Sequence, residues 1–583
     1  MVILTLQNEV KSKGNVKRIL KYVFKYKYSV LMIFIFSILE SLISVFSPKI
    51  SGKGITALCA VDANGSSNID LNYIFNLLSF LLVLYSVSGF LSCIGRYLFT
   101  NISVKIVYNL RKEISDKINN ASFEYLQNRS QGDVLSCIVS DAENISSAFI
   151  ESVRGILSSI IIAIGTVYMM FSISWEMSLC AFVLLPIVGV LMVYFAGKSQ
   201  KYYKGYRENL GKLNNIIGES FYGYETIKSF GAEDEFVKKF SIINKNLNDE
   251  YFESNFISGL MSPIMTFLSK VLYVICCVLG GYLAVVRGLL VGDITAFIVY
   301  CDQFVKPFVG ISGALGGFQS TFAAAQRVFD FLDAPEELEG GKTPENNASI
   351  EFKNVSFEYT ENKPVIQNLS FKWELGKTVA IVGETGSGKT TVSKLIMRFY
   401  EPTSGEIFLG NSNIKDIDIN EYRKLFAVVT QDSWLYASSI IDNIKYGNLE
   451  ATEEKVKEAA KMVGIDKFIK SLPEGYETIV SGNLSEGQKE LICIARAVVS
   501  NREFLIMDEA TACVDTVTES FIQKSLNKIL SQKTSLIIAH RLSTVKNADT
   551  ILVMNKGKIC EFGNHKELMA KKGTYYEMYK NLM

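Results

Sequence analysis

Apolar positions fall into two regimes along this chain. Up to about residue 320 they come in long runs. Leu71–Gly95, Gly155–Ser174 and Cys180–Gly197 contain no charged residue. Ser29–Ser47 is interrupted only by Glu40, and Val271–Val286 and Ile294–Gln319 are bordered or broken by Lys270, Asp302 and Lys306. A helix needs about 20 apolar residues to cross the hydrocarbon core. The pattern therefore predicts six membrane-spanning helices rather than buried helices of a large soluble protein. The connections 99–146 and 199–254 are polar, helix-compatible and nearly free of proline, so the spans are expected to continue into water and return. Each excursion holds an aromatic knuckle, "NASFEYLQNRSQGDVL" (120–135) and "GESFYGYETIKSFGAEDEF" (218–236). These read either as ordinary helical turns or as elements that dock onto the soluble part.

Beyond residue 331 the period changes. "LDAPEELEGGKTPENNA" (332–348) is polar, with Pro and Gly, and reads as a linker between a membrane domain (1–331) and a soluble domain (349–583). Alternation then takes over: Ile350 and Phe352, followed by Val355, Phe357 and Tyr359, a strand whose register shifts at Asn354. Three short apolar runs, "TVAIVG", "FLIM" and "SLII", read as buried strands of an α/β domain.

Charge orients the spans. Lys11, Lys13, Lys17, Arg18, Lys21, Lys25 and Lys27 precede the first, and Arg96, Lys105, Arg111, Lys112, Lys117 and Arg129 follow the second. The short connections after spans one, three and five hold only Lys49, Lys53 and Arg287. Both termini and the long connections are thus expected on the cytoplasmic side of the cell membrane. The opening segment does not read as a signal peptide, because its apolar run comes late and lacks a small-residue cleavage site. A net charge of +1 gives no basis for a nucleic-acid partner. Ten cysteines without metal spacing, several inside apolar runs, argue for reduced thiols. With only His540 and His565, a His-rich metal site is excluded.

The chemistry lies at strand ends. "TVAIVG" runs into "GETGSGKTT", residues 383–391: Gly383, Glu384, Thr385, Gly386, Ser387, Gly388, Lys389, Thr390 and Thr391. Gly383, Gly388, Lys389 and Thr390 fit the phosphate-loop pattern, in which backbone N–H groups curl around phosphate. The following helix adds its positive end. Lys389 is placed to reach the β- and γ-phosphates, and Thr390 to hold Mg²⁺. "FLIMDEAT" delivers Asp508, for Mg²⁺, and Glu509, to polarise the attacking water. "SLIIAH" ends at His540, placed to contact the γ-phosphate, and "FAVVTQ" ends at Gln431, placed to sense metal and phosphate. His565 reads as a surface residue.

On these residues the chain resembles the ATP-binding cassette (ABC) exporters, half-transporters with a six-helix membrane domain fused to one nucleotide-binding domain. The resemblance covers almost the whole chain and rests on motifs in order: "FEYTE", "GETGSGKTT", "VVTQDSWLY", "NLSEGQKE", "FLIMDEAT", "ACVD" and "IIAHRLST". It implies that Tyr359 stacks on adenine, that Asp515 bridges two ATP sites, and that Ser485, Gly487 and Gln488 grip the γ-phosphate of ATP held by a second subunit. It also implies coupling elements near 120–130 and 218–229, ATP and Mg²⁺ as ligands, and a homologous partner subunit in the lipid bilayer.

The family motif is LSGGQ, and here its third position is Glu486. A carboxylate beside a γ-phosphate should weaken that site. Since Glu509 and His540 are both present, the chain resembles the catalytic-Glu subunit of bacterial heterodimeric multidrug-type exporters, with a homodimer as the alternative. The expected cargo is a small amphipathic or lipophilic molecule (drug, lipid or peptide). The alternatives on the same fold are an importer and an ATP-gated channel.

Overall fold

The structure, a computed structural model of the 583-residue chain, describes residues 14–59, 70–337, 340–345, 348–480, 484–508, 529–530, 533–539 and 545–581. Glu509, Asp515 and His540 lie outside them. Internal contacts divide the chain into two compact units: residues up to 116 with 131–333, and residues 117–130 with 334–583.

In the first unit a short helix α1 (14–24) precedes six long ones: α2 Lys27–Leu58, α3 Leu71–Asn120, α6 Ala142–Ile173, α7 Trp175–Tyr222, α9 Glu233–Arg287 and α10 Val291–Leu332. Shorter segments α5 Gln131–Ser136 and α8 Tyr224–Phe230 lie between them, while α4 Phe123–Gln127 belongs to the second unit. Each predicted span falls inside one long helix, and the polar connections are the same helices prolonged. Among the described residues, Lys27–Leu58, Leu71–Asn120, Gln131–Ile173 and Thr266–Arg287 are long and apolar enough to cross a membrane. Local chemistry sets the ends. Ser174 is extended, ends α6, and its Oγ accepts the Met177 N–H to cap α7. Gly288 takes the left-handed conformation that closes α9.

Helix α10 packs along α6 and α2, and α7 along α9. Met169, Met170, Phe297, Tyr300 and Phe304 form the buried centre. At one crossing α2 and α10 meet backbone to backbone. A Cβ on Gly292 would lie 1.7 Å from the Gly52 carbonyl oxygen and 2.3 Å from Thr56 Oγ1. The Gly292 N–H donates to that same Thr56 oxygen at 3.2 Å. Of the charges inside the predicted spans, Glu40 is half-buried, while Lys270, Asp302 and Lys306 are exposed.

A π-turn, Cys137–Asp141, links α5 to α6. It widens the helical repeat and frees carbonyls. Arg111 takes up two of them, donating to Ile138 O at 3.0 Å and Val139 O at 3.2 Å. Arg327 clasps both oxygens of the buried Asp141, at 2.8 and 2.5 Å.

The second unit contains two sheets. One is four-stranded and antiparallel, in the order β2 (Pro364–Trp373), β1 (Ile350–Glu358), β4 (Ser404–Leu409), β5 (Ser412–Asn413). The register shift expected at Asn354 is there: pairing breaks between Phe352 and Val355, and Asn354 adopts φ 50°. The other sheet has the order β10 (Lys558–Gly563), β9 (Thr550–Asn555), β3 (Thr378–Gly383), β8 (Thr534–Ile538), β7 (Phe504–Asp508), β6 (Phe426–Val429). All its neighbours are parallel except β10 with β9. Its middle strands are buried throughout, as parallel strands covered on both faces must be.

Although it falls within the stretch expected as membrane domain, 117–130 packs with the second unit. The Ser122 N–H donates to Pro335 O at 3.0 Å, the Glu337 N–H to Asn120 O at 2.9 Å, and Lys117 pairs with Glu336 at 2.6 Å. Phe123 stacks on Phe399, centroids 4.4 Å apart, and Arg423 lies over the same Phe399 ring while gripping Glu337 in bidentate fashion.

Candidate functional site

Strand order lines the motifs up along one sheet edge. β3, β8, β7 and β6 are consecutive neighbours, so their C-terminal ends lie side by side. Register keeps them level: Ile381 and Asp508 both pair with Ile538, and Val429 pairs with Met507. Residues 383–391 leave β3, Asp508 ends β7, and Gln431 lies two residues beyond β6, exposed. Open parallel sheets place ligands at this edge.

The phosphate loop has the backbone its glycines predict. Gly386 and Gly388 sit at φ 82° and 98°, and a Cβ on Gly386 would meet nothing within 4 Å. Helix α11 (Lys389–Ile396) starts immediately after Gly388. Lys389 is buried, and its Nζ donates to Gly383 O at 2.8 Å and Glu384 O at 2.9 Å. Ser387 Oγ is buried and has no hydrogen-bond partner among the described residues. An orphaned hydroxyl and a cation resting on loop carbonyls suit an anion held at the loop. Thr390 Oγ1 lies 3.5 Å from Asp508 Oδ1, so the hydroxyl and carboxylate expected around Mg²⁺ converge.

Tyr359 is half-exposed beside this loop. Its hydroxyl lies 3.2 Å from Thr391 Oγ1, and its ring meets Tyr400 and Phe357 edge-on. Tyr400 was not singled out by the motifs. It stands between Tyr359 and Phe123, and its hydroxyl donates to Gln127. Burial pushes the Tyr400 phenol above its ordinary range, so it remains a donor. The usable signal was the "RFY" following α11, three large side chains too close to the phosphate loop to be idle. Tyr359→Ala is expected to raise the KM for ATP about tenfold, base–aromatic stacking being worth roughly 1–3 kcal/mol. Tyr359→Phe should stay near the parent value, because it keeps the ring. Equal KM values for Ala and parent would remove Tyr359 from the adenine face.

The signature group is built differently. Ser485 is the N-cap of helix α16 (Glu486–Val499). Its Oγ accepts the Gln488 N–H at 3.3 Å, and Gln488 Oε1 accepts the Ser485 N–H at 2.9 Å, a capping box. Gly487 is buried, and Glu486 pairs with Lys489 at 2.7 Å. His565 departs from the surface reading. It is half-buried against Tyr575 and Tyr579, its Nδ1 is 2.9 Å from the Tyr575 hydroxyl, and burial lowers its pKa.

Comparison with known proteins agrees with this architecture. Residues 30–308 match the family model described as ABC transporter transmembrane region, and residues 366–512 the one described as ABC transporter. The chain belongs to the ABC exporter half-transporters and is an ATP hydrolase coupled to transport. It is 38% identical to a fatty acid ABC transporter ATP-binding/permease protein of Mycobacterium bovis, over 82% of this chain and 77% of that one. It is 33% identical to an ATP-dependent lipid A-core flippase of Acinetobacter baylyi, over 88% and 90%. A solved bacterial Atm1-family ABC exporter with ATP bound superposes with TM-score 0.76 and 25% identity, covering 96% of this chain and 98% of that one.

Proposed function

We propose that this protein exports an amphipathic, lipid-like molecule by alternating access, as one half of a heterodimer with a single hydrolytic site. The convergence of four motif-bearing strand ends on one sheet edge carries the ATPase half of this reading. Thr390, Gln431 and Asp508 would hold Mg²⁺, which when bound neutralises phosphate charge. Glu509 polarises the attacking water and His540 orients it. Tyr359 receives adenine, residues 383–391 the phosphates. Ser485, Gly487 and Gln488 serve the ATP of the partner, and Asp515 bridges the two sites. Nucleotide drives transport only through its different affinity for the joined and parted states.

The two knuckles transmit that change. The first is already seated on the nucleotide-binding unit through Phe123. At the second, Phe221, Tyr222 and Phe230 are 79, 97 and 82% exposed, an aromatic tip with no cover of its own. Such a cluster marks a protein contact, which supports docking on another subunit. A lipid-like cargo is supported by the fatty acid and lipid A relatives, and the heterodimer by the acid in the signature. With both termini cytoplasmic, as the lysine distribution favours, the nucleotide-binding domain draws on cellular ATP.

Subunit analysis of the purified complex tests this. The expected result is a 1:1 complex with a homologous chain that carries an LSGGQ signature and lacks an acid at the position of Glu509. A homodimer that hydrolyses ATP at full rate would overturn the asymmetry. Long-chain fatty acids and lipids are expected to stimulate its ATPase, and uptake into inside-out vesicles would give the direction.

A further inference from the structure

Glu486 opens helix α16, and Lys489 follows it by one turn. Lys489 Nζ lies 2.7 Å from Glu486 Oε1. The lysine is the more enclosed partner, 26% exposed against 61% for the glutamate. Residues three apart on a helix are neighbours, and an acid at a helix N-terminus favours the macrodipole. Those two effects explain why the helix tolerates Glu486. They do not explain how the same turn can receive a phosphate.

We infer that Lys489 is a positioning residue that neutralises Glu486 and so keeps this acidic signature able to accept a γ-phosphate. A lone carboxylate would face the incoming polyanion with a full charge. Paired to Lys489, it is drawn back along its own helix and presents a neutral dipole, whose field dies away faster than that of a charge. The N–H groups of the first turn and the Ser485 hydroxyl can then dominate, as at other anion-binding helix ends. Exposed ion pairs contribute little to stability, so the role is visible in nucleotide affinity rather than in folding. The inference rests on the proposal that residues 485–488 complete the partner's ATP site.

The test uses the purified dimer carrying Glu509→Gln, so that bound ATP is not consumed, and measures the ATP concentration that half-saturates occlusion at this signature. Lys489→Met is expected to raise that concentration about tenfold at low salt, since a carboxylate left unpaired repels the incoming phosphate and solvent screens most of that repulsion. In a Glu486→Gly background the same change should matter clearly less, because only the direct attraction of Lys489 for phosphate is lost and no carboxylate is freed to face it. Lys489→Arg should restore affinity, and thermal unfolding should be the same for all. An equal penalty for Lys489→Met in both backgrounds would overturn the inference. Ser485→Ala separates the two layers. If it weakens occlusion while the Lys489 penalties are equal, only the pairing idea falls, and if it has no effect, the signature assignment falls with it. Should Lys489→Met fail to assemble, Glu486→Gln/Lys489→Gln replaces the pair by neutral groups. It should bind ATP at least as well as the parent, and weaker binding would again overturn the proposal.

Discussion

Glu509→Gln is expected to reduce ATP hydrolysis by a factor on the order of 10²–10⁴, the range contributed by a positioned general base. ATP binding should persist. The groups proposed to hold phosphate and metal belong to other residues: Lys389 and Ser387 on the loop, and Thr390 and Asp508 meeting across 3.5 Å. Asp508 is the last residue of β7, level with Ile538 of β8, at the sheet edge where the phosphate loop begins. The amide keeps the shape of the side chain and removes its basicity. Phosphate release and retention of labelled ATP, measured on the same sample, check both halves. Undiminished turnover would remove Glu509 from the chemistry.

The second large effect is expected in the membrane unit. Gly292→Ala should destabilise the protein at or beyond the upper end of the roughly 1–3 kcal/mol usual for overpacking. The new Cβ would meet the backbone of α2 at Gly52, not a side chain able to swing aside. The helices would have to separate and give up the Gly292 N–H to Thr56 contact. Gly89→Ala supplies the control, since a Cβ there meets nothing within 4 Å. It should be neutral or slightly stabilising, because alanine is the better helix former. Melting in a lipid environment distinguishes the pair, and an unchanged midpoint for Gly292→Ala would refute the close crossing of α2 and α10.

Much of this was legible because it is local. Long apolar runs placed the six long helices, four of which are, among the described residues, long and apolar enough to cross a membrane, and the ends of "TVAIVG", "FLIM" and "FAVV" placed Gly383, Asp508 and Gln431. The positive φ of Asn354 showed as a break in alternation. Other features depend on partners distant in sequence, which local patterns do not carry. Nothing around Cys137–Asp141 announces a π-turn, because the groups that stabilise it, Arg111 and Arg327, come from two other helices. The aromatic cluster joining Tyr359, Tyr400 and Phe123 likewise unites segments far apart in the chain. The Glu486–Lys489 pair is the reverse case. Its i, i+3 spacing is local and stands in "SEGQK".

The seating of residues 117–130 bears on how the protein is made. Gln127 and Tyr400, now hydrogen-bonded, are 273 residues apart. At roughly 5–20 residues per second, about 14–55 s of synthesis separate them. During that interval Phe123 waits at the tip of a membrane helix hairpin for a surface that has not yet emerged from the ribosome. The nucleotide-binding unit therefore closes last, around a piece of chain laid down near the start.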